Sequence, residues 1–185
     1  EEYKTIPAIQ SLGYSVFYTP IRDNPKVLIV GFNPGGSEKD FNPDTSFQIP
    51  TIHDYFNKKY SYRLALRMKD LFEKMGHLEI LEESVKTNLI FFRTKNKASW
   101  KSYPQEVRSH LENFCYEKLK EIIQTLNPSI VLFEGIETYN QYFNKAELTA
   151  TDDLLKNGTK ILLRHFHDNS RIYVGILHPS GARIK

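Results

Sequence analysis

Lys26-Val27-Leu28-Ile29-Val30-Gly31-Phe32-Asn33-Pro34-Gly35-Gly36 is the stretch on which the fold turns. A short apolar run rich in β-branched residues reads as a strand buried on both faces. Asp23-Asn24-Pro25 ahead of it is a turn signal, and Pro34 with two glycines behind it breaks regular structure. A loop of about twenty residues follows, to about Pro50, and a loop that long inside a compact domain is often functional.

Val85 to Phe92 and Ser129 to Phe133 read as further strands, and Lys160 to His167 and Arg171 to Leu177 as a hairpin joined by Asp168-Asn169-Ser170. Helical spacing appears between them. Over Tyr60 to Met75 the apolar positions are Leu64, Met68, Leu71, Phe72 and Met75, with Gly76 as a stop. Pro104 opens a long helix whose stripe is Val107, Leu111, Phe114, Cys115, Leu119, Ile122, Ile123 and Leu126, and Asn127-Pro128 ends it. Gly135 to Phe143 is a short helix, and 93–103 is polar and basic, with Arg93, Lys95, Lys97 and Lys101 around Trp100. Strands alternating with helices predict one α/β domain over 1–185, a three-layer α/β/α sandwich whose central, mostly parallel sheet has about four strands. These begin near Lys26, Val85, Ser129 and Arg171, with 160–167 antiparallel at an edge. Ligands of such sheets bind beyond the carboxyl ends of the strands, which points to the loops after the first, second and last.

Composition narrows the chemistry. With 40% hydrophobic and 25% charged residues the chain is that of an ordinary water-soluble globule. No apolar run approaches the ~20 residues a membrane helix needs. No basic-then-apolar leader is present, and the first residue is Glu1 rather than Met, as in a trimmed chain. Cys115 is the single cysteine, which excludes disulfides and any Cys-ligated zinc or iron–sulfur site and fits a reducing, cytoplasmic setting. His165 and His167 share a strand face without a third ligand, so neither metal nor cofactor is expected. The net charge of +3 permits a nucleic-acid partner without demanding one, and a monomer is expected.

Two turns carry chemistry. Gly31-Phe32-Asn33-Pro34-Gly35 lacks the glycine spacing of a dinucleotide loop and the Lys-Ser/Thr of a phosphate loop. It projects Asn33 from a rigid base, with backbone N–H groups turned to a ligand. The other turn, His178-Pro179-Ser180-Gly181, follows the last strand, and no Gly-x-Ser-x-Gly surrounds Ser180, so a nucleophile elbow is absent.

As an ordered pair, the two turns resemble the signature motifs of the uracil-DNA glycosylase superfamily. The first resembles the Gly-x-Asn-Pro-Gly of its mismatch-specific and single-strand-selective members, the second its His-Pro-Ser-Pro or Asn-Pro-Ser-Gly turn. The resemblance implies a glycosylase that flips uracil or a related damaged base from DNA and cuts its sugar bond without a cofactor. It implies that Asn33 positions the attacking water and that His178 donates a hydrogen bond to the departing base. It further implies base contacts from Phe32, from Asn88 at the end of the second strand, and from a stacking Phe in the long loop, Phe47 before Phe41. Gly31, Pro34, Gly35, Pro179, Ser180 and Gly181 would shape the backbone, and Lys101 and Arg183 would hold DNA phosphates. The sequence also departs from the family. Broad-specificity members carry Asp where Asn33 stands, the iron–sulfur cysteines are missing, and the wedge segment that usually follows the second turn is expected either to be reduced or to lie in a tail beyond Lys185. Two alternatives stay open: a nucleic-acid-binding member that has lost catalysis, and an α/β enzyme acting on a small nucleotide.

Overall fold

Val27–Gly31 forms strand β1, buried from end to end. The structure is a computed structural model that describes residues 13–35, 48–58, 62–146, 153–157, 160–168, 170–179 and 181. Strand β1 pairs in parallel with β2 (Val85–Asn88) on one side and β3 (Ile130–Glu134) on the other. Next to β3 lies β6 (Ile172–Ile176), also parallel. Strands β5 (Lys160–His167) and β4 (Asp153–Asn157) complete the sheet with antiparallel pairings, in the order β2-β1-β3-β6-β5-β4. The four parallel strands start within one residue of the sequence expectation.

The sheet has six strands rather than about four, and the 160–167 strand is second from the edge. The edge belongs to β4, an Asp-Leu-Leu-Lys-Asn segment with Leu155 57% exposed. An edge strand needs neither an apolar run nor two buried faces, so its sequence carries little strand signal.

Helices cover both faces. Between β1 and β2 come a 3-10 turn (Asp54–Phe56), α1 (Arg63–Lys74) and α2 (Leu78–Glu82). Between β2 and β3 come α3 (Lys97–Lys101) and α4 (Gln105–Leu126), and α5 (Ile136–Ala146) follows β3. Val27, Ile29 and Leu132 pack with Tyr55, Ala65, Met68, Phe72 and Leu81 on one face. Leu28, Val30, Val131 and Phe133 pack with Leu111, Cys115, Leu119, Tyr139 and Phe143 on the other. This alternation along each strand is the period-two pleat expressed as three layers.

Local chemistry sets the helix ends. In α1 the buried positions are Ala65, Met68 and Phe72, while Leu71 and Met75, assigned to the stripe from spacing, are exposed. Pro104 stands at the N-cap of α4, and Asn127 ends it in the left-handed conformation, φ 47°. The basic 93–103 segment contains α3, capped by the Asn96 side chain accepting from the Ser99 N–H, and its Trp100 is buried. No helix among the described residues is long and apolar enough to cross a membrane.

Helix α5 lies directly on β6 because Gly175 has no side chain. A Cβ there would come 2.7 Å from Tyr139 Cβ and Cγ. Gly175→Ala must therefore push α5 off the sheet, and a loss of about 1–3 kcal/mol is expected in urea unfolding. An unchanged midpoint would show that the helix yields at no cost.

Candidate functional site

The chain leaves β1 to build β2 on one side, then returns to build β3 on the other. The two crossovers thus part between β1 and β3, and the carboxyl ends of the strands beside such a point are the usual ligand position in these sheets. The register sets Asn88 opposite Gly31 and Glu134 opposite Ile176, with Val30 and Phe133 paired one step below. Asn88, Gly31 and Glu134 thus form one row across β2, β1 and β3, facing α1.

Glycine at position 31 makes this row possible. An added Cβ would collide with Asn88 Oδ1 and lie 3.3 Å from Glu134 Oε2. Asn88 is 5% exposed, and its amide makes no hydrogen bond to the described residues. A buried amide left without a protein partner is costly unless a ligand or water satisfies it. Glu134 is fully buried and accepts a hydrogen bond from the Tyr55 hydroxyl. Burial first, then the Glu134 charge, hold the Tyr55 hydroxyl well above its ordinary pKa, so it remains a donor.

Tyr55 is supported from beneath by a buried cation. Lys86 Nζ lies 4.2 Å from the centre of the Tyr55 ring, 3.3 Å from Asp54 Oδ2 and 3.2 Å from the Tyr62 hydroxyl. Tyr62 donates to the same Asp54 oxygen. His53 precedes this turn, and its Nδ1 accepts the Tyr55 N–H at 3.1 Å while Nε2 lies 3.0 Å from Ser84 Oγ. Ser84 Oγ in turn donates to the Leu81 carbonyl, so the imidazole serves as donor to Ser84 from Nε2.

His178 stands two residues beyond β6. Its ring carbon Cδ2 would lie 3.5 Å from a Cβ on Gly135, whose φ of +129° is a glycine conformation. Partial burial lowers the His178 pKa and Lys97 lowers it further, while the Glu134 charge pulls it upward. Gly181 N–H donates to the His178 carbonyl at 3.1 Å, and Pro179 between them is half-buried. His178 and the Asn88–Gly31–Glu134 row therefore meet around the end of β3.

The first turn is pinned to the segment after β2. Asn33 Nδ2 donates to Thr94 Oγ1 at 2.7 Å and to the Pro34 carbonyl at 3.3 Å, and Thr94 N–H donates to the same carbonyl. The amide nitrogen of Asn33 is thereby committed, and Oδ1 is the atom remaining for water. Pro34 is buried, as a rigid base requires. Gly35 is exposed, and a Cβ there would meet nothing within 4 Å, so the turn does not need glycine at that position for space. Phe32 packs half-buried against the core, with Lys97 Nζ 4.2 Å from its ring centre.

The basic segment is divided. Arg93 is half-buried beside Tyr18, on whose hydroxyl its charge acts. Lys97 and Lys101 approach Glu137 Oε1 at 2.8 and 3.5 Å, and the Lys97 hydrogen bond is the largest cause holding the Glu137 carboxyl below its ordinary range. Lys101 is exposed and distinct from the row itself. Phe47, Phe41, Ser180 and Arg183 lie outside the described residues. No cluster of three metal-ligating side chains occurs among the described residues.

Sequence reasoning missed Glu134, Tyr55 and the Lys86–Asp54 pair. Glu134 had a signal: a carboxyl residue ends the apolar run Ile130-Val131-Leu132-Phe133 immediately before Gly135. Tyr55 and Lys86 had none, because their contact depends on the β1–β2 crossover. Compared with protein-family models and with curated proteins, the chain matches none.

Proposed function

We propose that this protein is a monofunctional DNA N-glycosylase of the uracil-DNA glycosylase type, acting on uracil or a related damaged base flipped from DNA. The observation that carries the reading is Asn88: an amide 5% exposed, without a hydrogen-bond partner among the described residues, at the end of the edge strand beside the one that carries the first turn. A base docked against Asn88 would satisfy that amide through its polar edge. His178 would donate to the base as negative charge develops on it, and Asn33 Oδ1 would hold the water. The sugar–base bond breaks with its electron pair on the base, the water oxygen bonds to C1′, and the water proton passes to solvent. An aromatic from the long loop, Phe47 first, would stack on the base.

The test is release of an abasic product, without added metal, from oligonucleotides carrying uracil, hypoxanthine, an oxidised pyrimidine or an alkylated purine. Inertness on all of them, single- and double-stranded, would overturn the reading. The Asn33 site favours a second reading, a nucleic-acid-binding relative without catalysis, because an amide cannot take a proton from water. Such a protein would bind the same oligonucleotides and leave them intact.

Either reading requires contact with phosphates. Replacing Lys95, Lys97 and Lys101 together by Ala should make the logarithmic salt dependence of DNA binding shallower by about 2–3, near one per lost cation. An unchanged slope places the DNA track elsewhere on the surface.

A further inference from the structure

Glu134 is the group at this end of the sheet that the glycosylase chemistry leaves unused. Among the described residues no lysine or arginine forms an ion pair with it, and it is 1% exposed. A buried carboxylate without a cation is costly to keep. Its Oε1 accepts from Tyr55, while Oε2 and Asn88 Oδ1 both close in on the position that a Gly31 Cβ would take. The row therefore offers a donor at Asn88 Nδ2, an acceptor at Asn88 Oδ1 and a second acceptor at Glu134 Oε2.

The complement of donor–acceptor–acceptor is a carbonyl, a ring N–H and an exocyclic amine in sequence, which is the pairing edge of guanine. Uracil offers a carbonyl, an N–H and a second carbonyl, and that second oxygen would meet the Glu134 oxygen. Hypoxanthine places a C–H there, and adenine and cytosine lack the ring N–H. Asn33 adds a second restriction. Without a strong base at the water, the sugar bond must be labile by itself, and alkylation of guanine at N7 makes it so by giving the base a positive charge. A carboxylate in a water-poor site attracts such a cation strongly.

We propose that Glu134 makes this site selective for damaged guanine, with the N7-alkylated cation fitting both its edge and its charge; the inference rests on the glycosylase reading above. The C1′–N9 bond breaks with its electron pair on the base, which leaves as neutral 7-alkylguanine. Water bonds to C1′ and gives up its proton to solvent.

The experiment compares single-turnover release from two duplexes identical except for one 7-methylguanine or one uracil, corrected for spontaneous loss. Wild type should prefer 7-methylguanine by about 10²-fold or more. Glu134→Gln keeps a carbonyl for Tyr55 and turns an amide donor toward the base, so the preference should fall about 10²-fold, partly through faster uracil release. The wild-type ratio needs no variant and stands even if Glu134→Gln folds poorly. Equal wild-type rates on the two duplexes, or a folded Gln variant with an unaltered ratio, would overturn the role of Glu134 while leaving the glycosylase reading intact. Release of neither base overturns this inference, and the glycosylase reading then falls only if the wider set of oligonucleotides above is left intact as well.

Discussion

On the glycosylase proposal, His178→Ala should lower the single-turnover rate of base release about 10²–10³-fold, with DNA affinity nearly unchanged. The ring is backed by Gly135 and follows β6, the strand paired in parallel with β3, so it is a donor mounted on the sheet. A donor fixed before reaction needs no reorganisation as charge moves onto the base, which is why its removal costs rate rather than binding. Asn33→Ala should slow the reaction as well, through loss of the water's anchor. Asn33→Asp should raise the rate, because a carboxylate can accept the proton that an amide cannot. Its geometry is retained only if Thr94, now facing an oxygen in place of Asn33 Nδ2, turns its hydroxyl to donate. A wild-type rate in His178→Ala would remove the ring from the mechanism.

Acid should destabilise the fold through His53. Burial, reinforced by the Lys86 charge and by Arg22 and opposed by Asp54, lowers the His53 pKa to about 4. Unfolded histidine takes up its proton near pH 6.5, so above that pH neither state is protonated and the native state keeps its full advantage. As pH falls from about 6.5 to about 4, the unfolded chain binds a proton that the folded one refuses, and about 3 kcal/mol of stability is lost. Below about 4 both states are protonated and this loss stops growing. His53→Asn supplies a side-chain oxygen for the Tyr55 N–H and has nothing to titrate. Its urea-unfolding free energy should lose about 3 kcal/mol less than wild type across that window, and a slope as steep as wild type would assign the acid sensitivity to other groups.

Much of the fold was legible because the parallel strands are buried on both faces, as Val27 to Val30 show, and their apolar runs are unbroken. The hairpin was legible for a different reason: Asp168 Oδ1 accepts the N–H groups of Ser170 and Arg171, a local turn that its sequence announces. Strand β4 was not legible, since its ordering comes from pairing with β5. At the site, Asn88 and His178 could be placed because each ends or follows a readable strand. Thr94 as the anchor of Asn33 could not, because the two meet across 61 residues and only after β1 and β2 are paired. Glu134 ends a strand legible from its apolar run, but no turn motif follows it, and its hydrogen bond from Tyr55 joins residues 79 apart in sequence.

Strand β6 follows every other strand in sequence, yet it takes an interior place between β3 and β5. The sheet cannot be built in the order the ribosome delivers it. Strands β1, β2 and β3 can pair early, while the position that carries His178 forms only by non-local closure, a slow class of event in folding. Closure around His178 is thus expected late, and a nascent chain that has emerged only as far as α5 carries Asn88 and Glu134 with no imidazole yet to join them.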